Sequence, residues 1–373
     1  MSETSRRWFL NSSAALLAAA VSACRKTAPS SADTAPAGAP PAFGTAPDAG
    51  PPVSPATFAE AEKLVRFDLT PAEREMAAGN WRKSMAPLYE FRTGPRKFAP
   101  PASLAPATIW NPQLPGQPTL PTRDRFARSP RTPDPLPAND QDIAFAPLSR
   151  LSRWVEARQL TSERLTGIYL DRIQRFDPKL RCIITLVRDQ ALAQARQADR
   201  EIAAGHYRGP LHGIPWGAKD LLDTAGIATT YGAEPYRNRV PTQDAAVTKR
   251  LNDAGAVLIA KLSLGALALN DIWFGGQTMN PWLLEEGASG SSAGPGAATA
   301  AGLVGFSIGS ETGGSIVSPS MRCGVTGLRP TYGRVPRTGA MTLCWSLDKL
   351  GPMTRGVEDG MLVLQAISGP DPG

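Results

Sequence analysis

The chain has 373 residues, a formal net charge of +7 and 42% hydrophobic content, enough for one large α/β domain with additional segments. Charges of both signs are interspersed, and no run of five or more like charges occurs. This excludes the usual electrostatic footprint of a nucleic-acid groove, and no nucleic-acid partner is expected.

The first 24 residues read as an export signal. Ser5-Arg6-Arg7-Trp8-Phe9-Leu10 precedes the apolar run Ala14–Ala20, as in a twin-arginine signal. The run is too short to span a bilayer as a stable helix. It ends in Val21-Ser22-Ala23-Cys24, which looks like a lipobox with Cys24 as the acylated residue; simple cleavage after Ala23 is the alternative. A periplasmic protein, or one anchored to the membrane through lipid alone, is expected. Cys182, Cys323 and Cys344 remain, an odd number at wide spacing that indicates neither a disulfide framework nor a zinc site.

Residues 25–57 are an Ala/Pro/Gly/Ser tract with few large apolar side chains, so a disordered tether is predicted. The region 58–145 reads as a helical patch and an extended arm. A helix is predicted over Pro71–Tyr89, with Thr70 as cap and Pro71 in the first turn. The proline-rich stretch 95–137 carries Phe98, Leu104, Ile109, Trp110 and Leu114 and is expected to lie on the main domain.

From Ala146 onward regular structure is dense. Leu165, Ile168, Tyr169, Ile173 and Phe176 form one stripe at helical spacing, with Thr161 as cap and Pro178 beyond the helix end. A strand is predicted at Ile183–Val187 and a helix at Gln190–Ala204. A strand follows at Ile214–Ala218, then a helix at Thr242–Asp253 and a strand at Val257–Ala260. Such alternation implies an α/β fold whose sheet carries helices on both faces.

The chemistry-bearing stretch is GASGSSAGPGAATAAGLVGFSIGSETGGS, Gly287 to Ser315. Within it Gly290-Ser291-Ser292-Ala293-Gly294 matches the G-x-S-x-G nucleophile elbow, which would make Ser292 reactive. That mechanism needs a histidine after the serine, and His206 and His212 both come before it. The S-x-x-K pattern is absent, and Lys219 follows Ala218 where a phosphate-binding loop needs glycine. A neutral lysine can serve a serine instead. Lys219 qualifies, because it directly follows an apolar strand; a lysine extending to solvent from a strand end is the alternative.

The segments His212–Gly226 (HGIPWGAKDLLDTAG), Thr278-Met279-Asn280-Pro281-Trp282 and Gly287–Ser315 resemble the amidase signature family, and the resemblance runs from about Ala146 to the last residue. It implies a single large α/β domain with a mixed twisted sheet. It implies a catalytic set of Lys219, Ser291 in a cis peptide and nucleophilic Ser315, with the backbone of Thr312, Gly313 and Gly314 as oxyanion hole. Cleavage of an amide C–N bond through an acyl-enzyme follows, with no metal and no cofactor, on a small-molecule or peptide amide. A homodimer is compatible with it.

Two departures stand out. Val317 occupies the position where family members usually carry arginine, which argues against a substrate carboxylate bound there. The chain also stops soon after the helix expected around Val357–Ile367, so it looks truncated and an uncovered core face is expected. Two other readings are the glutamine-hydrolysing subunit of a tRNA-dependent amidotransferase and a catalytically silent binding lipoprotein of the same fold. Tyr231 and Trp273 are candidate substrate-lining residues, with core packing as the alternative.

Overall fold

The computed structural model describes residues 50–65, 68–92, 128–129 and 134–371. The export signal, Cys24, most of the tether and most of the proline-rich arm lie outside the described residues. The described residues divide between two units, with the boundary between Ala105 and Pro106.

In the first unit, helix α1 (Pro55–Val65) and helix α2 (Pro71–Arg92) are joined by a short connection. Helix α1 begins at Pro55, so the last three residues of the expected tether are helical. The predicted start of α2 holds: the Glu73 N–H donates to Thr70 Oγ1 at 3.3 Å, and Glu73 Oε2 accepts from the Thr70 N–H at 2.8 Å. This reciprocal pair is a capping box. Arg74 clasps Glu62 through two nitrogens, and Phe58 meets Trp81 edge-on at 6.5 Å.

The second unit is built on a six-stranded mixed sheet. Its strands are β1 (Ile183–Leu186), β2 (Pro215–Lys219), β3 (Val257–Leu262), β4 (Phe306–Glu311), β5 (Thr326–Gly327) and β6 (Lys349–Thr354), in the order β1-β3-β2-β4-β6-β5. β2 runs parallel to both β3 and β4, and the remaining pairs are antiparallel. Every residue of β2 and β3 is buried. Only a sheet covered on both faces buries strands along their whole length, and these segments are apolar apart from the buried Lys219 and Lys261.

The covering helices are α3 (Asp140–Phe145), α4 (Leu148–Glu156), α5 (Ser162–Leu180), α6 (Arg188–Ala203), α7 (Ala246–Asp253), α8 (Ala293–Ala300), α9 (Val317–Cys323) and α10 (Val357–Ile367). Ile143 and Ala144 of α3 are fully buried in the core, so the domain begins before Ala146. In α5 the Thr161 cap forms and Leu165, Ile168, Tyr169 and Ile173 are buried, with Phe176 half-buried. Pro178 lies inside the last turn rather than beyond it. The helix closes at Arg181, which adopts φ 52° and donates its N–H to the Asp177 carbonyl at 2.8 Å. Helix α7 starts four residues later than predicted, because the Ala245 N–H is taken by the Asp223 carbonyl at 2.9 Å. The arm residues Arg128 and Ser129 do lie on this unit. Arg128 reaches Glu156 of α4 at 3.1 Å, and the Ser129 hydroxyl donates to Glu358 of α10 at 2.6 Å.

Helix α8 follows the serine pair and is composed of Ala, Gly, Pro and Thr, all buried. Small residues are required there. A Cβ on Gly294 would sit 2.4 Å from the amide nitrogen of Ser263, the residue that follows β3. The glycine/serine stretch is therefore packed structure and not a flexible loop.

Candidate active site

Lys219 is the last residue of β2, and its side chain is fully buried. Three hydroxyls surround its Nζ: Ser291 at 2.7 Å, Ser310 at 2.8 Å and Ser292 at 3.0 Å. Burial drives the Lys219 pKa well below its ordinary 10.5, while the carboxylates of Asp348 and Glu311 pull it partly back up. Uncharged hydroxyls cannot replace the water an ammonium loses, so the neutral amine is favoured.

Several features bring the serines there. The Gly290–Ser291 peptide is cis. A Cβ on Gly290 would lie 1.8 Å from the Asn270 carbonyl oxygen, so the chain passes this point only as glycine. Ser292 is fully buried: its N–H donates to the Ser315 carbonyl at 3.0 Å, and its Oγ accepts from the Ser310 N–H at 3.1 Å. A hydroxyl so enclosed is no elbow nucleophile. Gly309 permits that enclosure, since a Cβ there would stand 2.8 Å from Ser292 Oγ and 3.0 Å from Met353 Sδ. Gly309→Ala is expected to cost about 1–3 kcal/mol through overpacking and to disturb the Lys219 contacts; urea unfolding and turnover measured on the same variant check this.

Ser315 is half-buried at the end of a loop formed by Thr312, Gly313 and Gly314. The Ser292–Ser315 backbone bond ties it beside the lysine cluster. Among the described residues Ser291 Oγ is hydrogen-bonded to Lys219 and not to Ser315. Gly314 has φ +112°, and a Cβ on Gly313 or Gly314 would meet nothing within 4 Å, which leaves the backbone of this loop open. Glu311 holds the far side, accepting the N–H groups of Ile316 and Val317 at 2.8 and 2.9 Å. Val317 itself projects half-exposed from the start of α9.

A cavity of about 300 Å³ abuts this centre, lined by Leu221, Ser310, Thr312, Leu343, Trp345 and Asp348 among others. A larger one of about 360 Å³, between Phe145, Arg172 and Trp282, shares no residue with the lysine–serine cluster, whereas the first includes Ser310. Tyr231 and Trp273 line neither. Tyr231 packs on Tyr236 under Arg239, and the Trp273 indole donates to the Arg181 carbonyl at 3.2 Å. His212 is engaged with Glu201 at 3.1 Å and accepts the Arg208 N–H.

Sequence reasoning did not single out Ser310, Glu311 or Asp348. Ser310 was not within reach of simple strand logic: Ala218 pairs with Ile308 across the parallel β2–β4 ladder, so regular alternation sets Gly309, and not Ser310, beside Lys219. Asp348 lies 36 residues beyond Thr312, and no local pattern points to it.

The geometry thus presents a mixed α/β sheet with a fully buried lysine among three serine hydroxyls. The amidase family pattern matches residues 164–373, and the chain belongs to this family. It is 45% identical over 237 residues to a putative amidase, AmiD, of Mycobacterium tuberculosis, covering 63% of this chain and 50% of that protein. It is 42% identical over 236 residues to a glutamyl-tRNA(Gln) amidotransferase component of Moorella thermoacetica, covering 62% and 48%. Among solved structures, the native peptide amidase of Stenotrophomonas maltophilia superposes with a TM-score of 0.59 at 42% identity, covering 61% of this chain and 48% of that one. The chain spans about half the length of these relatives.

Proposed function

We propose that the protein is an amide hydrolase that works through an acyl-enzyme on Ser315. The observation that carries this reading is the fully buried Lys219 amine 2.7 Å from Ser291. Neutral Lys219 accepts the Ser291 proton while Ser291 accepts the proton of Ser315, so the bridging hydroxyl is a relay. Ser315 Oγ attacks the amide carbon, and the oxyanion faces the backbone N–H groups of the Thr312–Gly314 loop. One such donor is worth about 2.7–4 kcal/mol in the transition state. The proton returns to the leaving amine as the C–N bond breaks, and water then releases the acid from Ser315.

The sign of the pH dependence follows from the lysine. Protonated Lys219 cannot accept a proton, so activity rises with pH through its folded-state pKa, and burial places that limb well below 10.5. The test is hydrolysis of peptide amides and aryl amides by the purified chain, with a fluorophosphonate probe and peptide mapping. Turnover with labelling at Ser315 supports the reading; a folded chain with neither contradicts it.

A second reading, glutamine hydrolysis within an amidotransferase complex, is favoured by the similarity to glutamyl-tRNA(Gln) amidotransferase components. It predicts ammonia release from glutamine that depends on partner proteins and tRNA, where the first reading predicts turnover of amides by the chain alone.

A further inference from the structure

We infer that Asp348 is a positioning residue for the Ser315 loop, acting through Thr312. The inference rests on the amide-hydrolase reading above. Thr312 opens the loop that ends at Ser315, and its hydroxyl donates to Asp348 Oδ1 at 2.5 Å. Asp348 Oδ2 is itself fixed, accepting the N–H groups of Leu343 and Cys344 at 2.8 and 2.9 Å. The neighbouring Lys349 donates from Nζ to the Thr312 carbonyl at 3.3 Å and stands opposite Glu311 in the β6–β4 ladder. Thr312 is thus held by side chain and carbonyl together.

The other end of the loop is held by the Glu311 carboxylate, which accepts the N–H groups of Ile316 and Val317. Between these anchors nothing packs on Gly313 or Gly314 within 4 Å of a Cβ position. The middle of the loop keeps a backbone tie, the Ser318 N–H donating to the Gly314 carbonyl at 2.7 Å, and its course is otherwise set by the two carboxylates at its ends. An oxyanion donor is useful only within a few tenths of an ångström of its place, so a slack anchor at Thr312 would be felt in turnover before it was felt in binding.

Asp348 also faces the lysine electrostatically. Asp348 and Glu311 both raise the Lys219 pKa against the effect of burial. The cations facing these carboxylates are Lys349 and Arg329, the latter 3.9 Å from Glu311 Oε1. Removing the Asp348 charge leaves burial less opposed, so Lys219 loses its proton at lower pH. A merely structural tie to Thr312 has no such consequence.

The test uses the full chain and an aryl amide substrate, with wild-type turnover measured first. In Asp348→Asn, kcat is expected to fall at least about tenfold with KM little changed, and the acid limb of the pH profile moves to lower pH. In Thr312→Val, kcat falls but the limb stays, and Thr312→Ser restores turnover. Should Asp348→Asn fail to fold, the Thr312 pair decides: a Thr312→Val enzyme with wild-type kcat overturns the inference. An active wild type beside an Asp348→Asn enzyme with unchanged kcat and limb defeats the inference alone. A wild type without turnover defeats the amide-hydrolase reading, and the inference with it.

Discussion

Ser315→Ala loses amide hydrolysis, with kcat/KM down about 10⁴-fold or more, the loss typical of removing a serine nucleophile. Fluorophosphonate labelling disappears in the same variant. The loss should not come from unfolding. Ser315 is half-buried, and its structural tie to Ser292 uses the backbone carbonyl, which alanine retains. A folded variant with near-normal turnover would mean that another serine carries the chemistry. Ser292 is a poor substitute, because it is fully buried and bound to Lys219 and Ser310. Ser291→Ala separates the relay from the nucleophile: Ser315 keeps its place but loses the path for its proton, so turnover falls while slow labelling by a reactive probe persists.

Lys219→Met loses turnover to a comparable extent, and its effect on stability has the opposite sign from an ordinary core substitution. Lys219 has a folded-state pKa lowered by burial, so between that pKa and its ordinary value of 10.5 the unfolded chain binds a proton the folded chain does not. In that window wild-type stability rises with pH. The wild type is therefore least favoured, relative to Lys219→Met, at low pH, and the gap closes as pH rises toward the unfolded value. Methionine fills similar volume without an ammonium to desolvate. Chemical denaturation of both proteins at several pH values checks this. A gap that does not change with pH would show that Lys219 titrates in the folded protein as it does in the unfolded chain.

Much of the architecture was readable because burial writes itself into composition. β2 and β3 are buried on both faces, and their sequences are correspondingly small and apolar apart from Lys219 and Lys261. Helix α5 was readable from its stripe and its Thr161 cap. What escaped depended on partners distant in sequence. Pro178 lies in the last turn of α5, which closes at Arg181 in a left-handed conformation, and no rule about proline alone foretells that. Helix α7 lost its first turn to a competing bond that the Ala245 N–H donates to the Asp223 carbonyl.

The site divides in the same way. Lys219 and Ser291 were found from motif order, and the structure brings them within hydrogen-bonding distance. Ser310, Glu311 and Asp348 carry no motif of their own in the sequence reading. Their importance lies in geometry: a third hydroxyl on one lysine, and two carboxylates at the two ends of one loop. Tyr231 and Trp273 show the converse. Their aromatic character left a binding wall and core packing both open, and each is occupied with local packing.

The account depends on an amine at position 219 that is uncharged where the enzyme works. Its most direct test is an NMR titration of the lysine side-chain Cε and Nζ resonances, with Lys219→Met supplying the assignment. The expected result is one lysine titrating well below the ordinary 10.5, its midpoint coinciding with the acid limb of amide turnover. A Lys219 signal that stays protonated into the range of the other lysines would contradict the proposed relay.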